Sequence, residues 1–375
     1  APTAVRPRPA DAPTAVRPRP ADAPTAAVVI PPTDAPTALV TRVTDGRVGA
    51  PDAPRRIVER RPPADVFFRL LARGGGVVVL LIMLLVGGFL AFRAAQALKV
   101  AGWSFFTTQA WDPDGGEFGI AAVLTGSVLI ALVAICFAVP LALGAALYIS
   151  EYAPRRIKPV LVSLVDLMAA VPSVVYGLWG FFLLTGSVVG LARWLTTYFG
   201  WLPPFAVRGF DAADPLTPQS VFTSSTFIAG MVVSMMVAPI ACAIMREVFA
   251  QAPAGEREGA LALGATKWGM IRAVVLPFGR GGIIGGTMLG LGRALGETIA
   301  VYLTISMIFE IQPRILQNGG SSIAALIALR YGDSTAMGIS ALMAAGLALF
   351  TMTLIVNFLA SMIVARSRSG ASSEG

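Results

Sequence analysis

The chain contains no histidine. Histidine proton relays and histidine-ligated metal sites are therefore excluded within it. Charge is scarce too. Only 13% of the 375 residues are Asp, Glu, Lys or Arg, about half the share usual in soluble domains. Two cysteines occur, Cys136 and Cys242, each inside an apolar run. Such positions suit small buried hydrophobes better than a disulfide or a metal site. The phosphate-cradling sequence G-x-x-x-x-G-K-[ST] is missing: GATKW at 264–268 lacks the glycine before its lysine, and GRALGET at 292–298 lacks the lysine. No nucleophile elbow, zinc spacing or dinucleotide fingerprint occurs either. The expectation is a chain with no metal and no cofactor of its own, which catalyses no covalent chemistry and leaves any ATP hydrolysis to another chain.

What is present is apolar. Hydrophobic residues make up 55% of the chain, with mean hydropathy +0.73. Six runs, near 74–92, 120–149, 160–189, 226–245, 281–308 and 336–365, reach the ~20 residues needed to cross ~30 Å of hydrocarbon. The fold class expected is all-α, a polytopic membrane protein with six transmembrane helices. Pro140, Pro172 and Pro239 fall within these runs and are expected to kink them. The net charge of +8 does not point to nucleic acid, because the basic residues gather at the ends of the apolar runs. With the N-terminus inside, the inner flanks hold Arg55 to Arg73, Arg155 to Lys158, Arg246 to Arg280 and Arg366 to Arg368. These outnumber the cations of the outer loops, which places both termini in the cytoplasm.

Residues 1–64 are of another kind. APTAVRPRPAD occurs at 1–11 and again at 12–22, and APTA recurs at Ala23 and Ala35. This Pro/Ala/Arg-rich repeat cannot bury enough apolar surface to fold and is expected to be a disordered tail. It lacks the charged-then-apolar order of a cleavable signal peptide. Residues 65–367 then form the membrane domain, and 368–375 a short cytoplasmic tail.

Arg293 and Glu297 lie inside the fifth run. A charge at membrane depth costs about 3 kcal/mol or more, so it usually marks a pathway or a partner contact. On a continuous helix the two share one face with Gly282, Gly286 and Gly290, within an arc of about 80°. Two readings stand. The face lines a route for something charged, or the pair is a structural i,i+4 bridge. The glycine row is a small-xxx-small pattern that suits close helix packing. Ser173 and Thr298 can donate to an anion or bond their own backbone. Asp166, near the inner end of the third run, suits a structural role, complementing a helix N-terminus or pairing with a loop cation.

Residues 246–280 form the longest inner connection between spans. After Pro253, Leu261, Ala265, Trp268 and Val275 share one helical face, Glu256, Glu258 and Lys267 supply polarity, and Pro277 ends the run. Periodicity alone fits either a docking helix or an ordinary juxtamembrane amphipathic helix.

This loop resembles the EAA loop of binding-protein-dependent ABC importer permeases. It offers Glu258-Gly259-Ala260, then Gly264, then Val274-Val275-Leu276-Pro277, with departures at Gly259 and Val274. The resemblance implies that Glu258, Ala260 and Gly264, with Lys267 and Trp268 beside them, dock into a cytoplasmic ATPase. WDPDGGEFG (111–119), DLMAAVPSVVYGLWG (166–180) and GTMLGLGRALGETIAV (286–301) resemble phosphate permeases of the PstC type, and the likeness covers about 65–367. It implies a type I ABC importer (MetI-like) fold in a bacterial inner membrane. It further implies a second permease, two ATP-binding subunits holding the ATP, and an external phosphate-binding protein. Arg293 and Glu297 would lie on the phosphate route, with Arg293 a weak, passing contact. No physical argument separates phosphate from sulfate or molybdate. An ion-coupled secondary transporter is a further alternative, which the EAA-type loop disfavours.

Overall fold

The computed structural model describes residues 63–210 and 218–368. The repeat tail up to residue 62 and the residues beyond Arg368, for which the sequence predicts disorder and a cytoplasmic end, lie outside these. Within them, the long apolar runs are long helices, because a backbone in hydrocarbon must satisfy its own hydrogen bonds. Helix α1 (Pro63–Ala101) has 39 residues, about 58 Å at 1.5 Å per residue, so it outreaches the bilayer core. A hairpin of β1 (Trp111–Asp112) and β2 (Glu117–Phe118) follows. Then comes α2 (Ala121–Leu147), which ends in a wide π-type turn at Tyr148–Tyr152. Next are α3 (Lys158–Ala170), α4 (Ser173–Trp179) and α5 (Thr185–Phe199), the last two joined by a second π turn at Gly180–Leu184.

Helix α6 (Thr226–Ala250) is followed by the short helices α7 (Ala254–Ala262) and α8 (Lys267–Met270). A π turn at Ile271–Val275 joins α8 to α9 (Leu276–Leu295). The chain ends its described course with α10 (Ile299–Thr304), α11 (Ile323–Arg330) and α12 (Ala336–Arg368). Five of these stretches are long and apolar enough to cross a membrane, and the bent pair α3–α4 brings the number to six. The chain is therefore an all-α polytopic membrane protein.

The third and fifth spans depart from the sequence expectation. The run 160–189 is not one helix. Its two parts meet at 88°, with Val171 and Pro172 both extended. Proline disfavours α geometry in the residue before it and has no N–H to give. The carbonyl that would have received that N–H belongs to Met168, and the Tyr176 hydroxyl donates to it instead at 2.8 Å. Pro140 and Pro239 stay inside α2 and α6. The fifth span begins earlier than expected and stops earlier. It runs Lys267–Leu295, breaks at Gly296, and resumes only as the short α10 before the chain turns extended at Ile305. Pro277 does not end a helix; it sits in the first turn of α9. The π turn just before it inserts an extra residue where regular pairing would have asked Pro277 for the N–H it lacks.

Helix α6 is the centre of the bundle. Of its apolar stretch 67% is buried, against 0% in α1. Its Val232, Val233, Met236 and Val237 pack with Ile130 and Ala134 of α2 and with Ala294 and Leu295 of α9. Gly282, Gly286 and Gly290 turn toward it. A Cβ on Gly282 would lie 2.6 Å from the Val248 side chain, one on Gly286 3.2 Å from the Ala241 carbonyl, and one on Gly290 2.5 Å from Val237. At the opposite end from α7, residues 305–322 are irregular, with a turn in which the Gln317 N–H donates to the Arg314 carbonyl. They pair with Ser225 through Asn318 and Gly319 and stack Phe309 on Trp111 at 6.4 Å.

Candidate functional site

Arg293 occupies the last turn of α9. Its side chain is exposed and lines a groove of about 440 Å³ with Ile240 of α6, Leu289 and Gly292 of α9, and Thr353 and Asn357 of α12. Among the described residues no carboxylate comes within 4.0 Å of it. A guanidinium in this setting offers a planar fork of donors that stays charged at any physiological pH.

Glu297, the partner expected from the spacing, does not pair with Arg293. That expectation assumed an unbroken helix, and the chain leaves helical geometry after Leu295. Glu297 is 8% exposed, and its Oε1 accepts a hydrogen bond from the Ala300 N–H at 3.1 Å. The carboxylate thus caps α10, and the amides of that helix start offset its charge. Thr298 opens α10, and its hydroxyl donates to the Gly296 carbonyl at 3.2 Å. It bonds its own backbone in this state.

Ser173 is the first residue of α4 and is half-buried. The two short helices run side by side in the same direction. A Cβ on Gly177 would lie 2.9 Å from Ala300 Cα, and one on Gly180 3.3 Å from Thr304. The breaks at Pro172 and Gly296 therefore lie toward the same end of the α4–α10 pair. Arg293, Glu297 and Thr298 thus surround one break, and Ser173 begins the helix beside it. Asp166 pairs with Arg246 at 3.8 Å. Arg246 is helical, because α6 continues four residues past it.

The inner connection is two helices, not one. Gly264 has φ +86°, a left-handed geometry that glycine adopts without strain, and it turns the chain between α7 and α8. Thr266 then caps α8 by accepting from the Gly269 N–H at 3.1 Å. The single face expected for Leu261, Ala265, Trp268 and Val275 does not exist. Val275 is fully buried in the core around Phe249 and Ile271, while Trp268 is 56% exposed. Glu258 is exposed, Ala260 half-buried, and Lys267 sits 4.7 Å over the Tyr152 ring. Leu263, which the sequence reading passed over, is 91% exposed. Asn357 was missed as well. Its signal was a lone amide in an apolar run, the same signal that marked Arg293.

The profile of the family described as "Binding-protein-dependent transport system inner membrane component" matches residues 138–369. The phosphate transport system permease protein PstC 2 of Mycobacterium tuberculosis is 38% identical over 307 residues, 81% of this chain and 92% of that protein. PstC of Xylella fastidiosa is 36% identical over 304 residues, 81% and 91% of the two chains. PstC of Mycobacterium leprae is 39% identical over 279 residues, 73% and 85%. A solved chain of the inward-facing MetNI methionine ABC transporter aligns at TM-score 0.43 and 12% identity, covering 71% of this chain and 97% of that one.

Proposed function

The chain belongs to the family of binding-protein-dependent transport system inner membrane components, and we propose that within it this protein is the membrane-spanning subunit of an ATP-driven phosphate importer. The observation that carries the reading is Arg293. It ends a broken helix, lines a groove with Asn357 and Thr353, and has no carboxylate partner among the described residues. A dehydrated phosphate needs donors, and arginine meets an oxyanion with two parallel N–H groups. One such contact on a side open to the groove is weak enough to release the ion, which a transporter requires. High affinity would then reside in an external phosphate-binding protein.

The pathway would be completed by a second, related permease. Two ATP-binding subunits would dock on α7 and α8, where Glu258, Gly264, Lys267 and Trp268 are exposed. Both termini would be cytoplasmic, as the distribution of Lys and Arg favours. ATP binding would draw the docked loop inward and turn the cavity between its two openings.

The test is uptake of labelled phosphate by the complete complex in proteoliposomes. Arg293→Gln is expected to lower uptake about tenfold or more, matching ~1.4 kcal/mol or more of lost transition-state stabilisation, with assembly retained. Unlabelled phosphate should compete and sulfate or molybdate should not. Uptake unchanged in the variant would remove Arg293 from the pathway. Equal competition by sulfate would move the assignment to another oxyanion.

A further inference from the structure

The turn at the end of α2 is held in an unusual way. Three successive residues each receive a cation from a different element. The Ser150 carbonyl accepts from Lys158 Nζ of α3 at 3.4 Å. The Glu151 carboxylate faces Arg257 of α7 at 3.3 Å. The Tyr152 ring lies under Lys267 of α8 at 4.7 Å. Ile149 of the same turn packs into the core with Phe249, Met270 and Ile271.

Of the three, the Glu151–Arg257 contact is the buried one. The Glu151 side chain is 4% exposed and that of Arg257 22%. Arg257 also donates to the Phe249 carbonyl near the end of α6. One guanidinium therefore ties α7 to both α2 and α6. The pair is held by charge and not by an aligned hydrogen bond: Glu151 Oε1 lies 3.3 Å from Arg257 Nη1, and Arg257 Nε has no hydrogen-bond partner among the described residues. Removing one charge leaves the other short of its partner, and the Arg257 Nε keeps donor capacity for a second arrangement. Such a contact suits a joint between two rigid parts better than a static brace.

We infer that the turn Tyr148–Tyr152 receives the movement of the α7–α8 loop and passes it into the membrane helices, with Arg257 as the positioning residue of the link. This rests on the importer reading above. The loop's exposed face meets the motor; its inner face meets this turn through Arg257, while the exposed Lys267 reaches the Tyr152 ring from the edge. Lys158 extends the link to α3, which leads to the Pro172 break beside α10.

The experiment measures ATP hydrolysis and phosphate uptake together, in proteoliposomes holding the complete complex. Arg257→Ala and Glu151→Gln are expected to leave hydrolysis within about twofold while uptake falls about tenfold, within the range of ordinary coupling energies. Arg257→Lys, which keeps a cation and a donor toward Glu151 and the Phe249 carbonyl, should retain much of the phosphate moved per ATP. A wild-type ratio in Arg257→Ala and Glu151→Gln would overturn the inference. So would Arg257→Lys uncoupled as fully as Arg257→Ala. Loss of assembly in Arg257→Ala and Glu151→Gln would make the pair a folding contact and overturn it as well. A wild-type complex that takes up no phosphate on ATP would instead remove the importer reading itself, so the two failures remain distinct.

Discussion

Glu297 and Arg293 have different surroundings although they are four residues apart. The acid is buried and caps α10; the base is exposed on a groove. If the acid serves the helix start, its loss is a capping loss. Glu297→Ala should then cost about 1 kcal/mol of stability, and Glu297→Gln less, since the amide oxygen still accepts from Ala300. A double-mutant cycle with Arg293→Gln should be additive within about 0.5 kcal/mol. Unfolding of the purified subunit in detergent measures this. A larger coupling term would bring back the ion pair the spacing suggested.

Helix boundaries explain what the sequence could and could not convey. The apolar runs announced the spans, because hydrocarbon leaves the backbone no alternative to internal pairing. The positions of the breaks were only half visible. Pro172 carries its signal in its own chemistry, a missing N–H and a restricted neighbour. Gly296 does not. The segment around α9 has many glycines, among them Gly285, Gly290 and Gly292, and only Gly296 ends the helix. The break coincides with the cap that Glu297 gives α10, a bond only three residues along the chain, and with the packing of α10 on α4, a tertiary contact that the sequence does not show. Arg293 was legible as a charge at depth, but its free state was not. The glycine row was legible as a packing surface without its partner, which is α6. That partner gives a graded expectation. Gly290→Ala would press on Val237 at 2.5 Å and should cost about 1–3 kcal/mol by overpacking. Gly285→Ala, on the same helix with nothing within 4 Å, should be neutral or gain a few tenths from helix propensity. Melting curves of the two variants side by side check this, and equal losses would remove α6 as the surface that reads the row.

At the scale of the whole molecule, the arrangement has two chemically distinct ends. One carries α7, α8 and the exposed Leu263. The other carries the β1–β2 hairpin and, beyond the last turn of α1, Trp103, exposed at 91% and 88% respectively for Leu263 and Trp103. The cations flanking the α7–α8 end, Arg246 to Arg280, outnumber those of any other connection, and the proposed orientation, with that end in the cytoplasm, follows the positive-inside rule. In the importer proposed above an ATPase would reach only that side, so the proposed orientation and energy source stand or fall together. With Cys136 and Cys242 replaced by alanine, Leu263→Cys should react with a membrane-impermeant maleimide only in inside-out vesicles. Trp103→Cys should react only in right-side-out cells. Addition of the ATPase subunit should shield Leu263→Cys and leave Trp103→Cys unchanged. Labelling of Leu263→Cys from outside would invert the chain, and the α7–α8 loop would then face a compartment with no ATP to use.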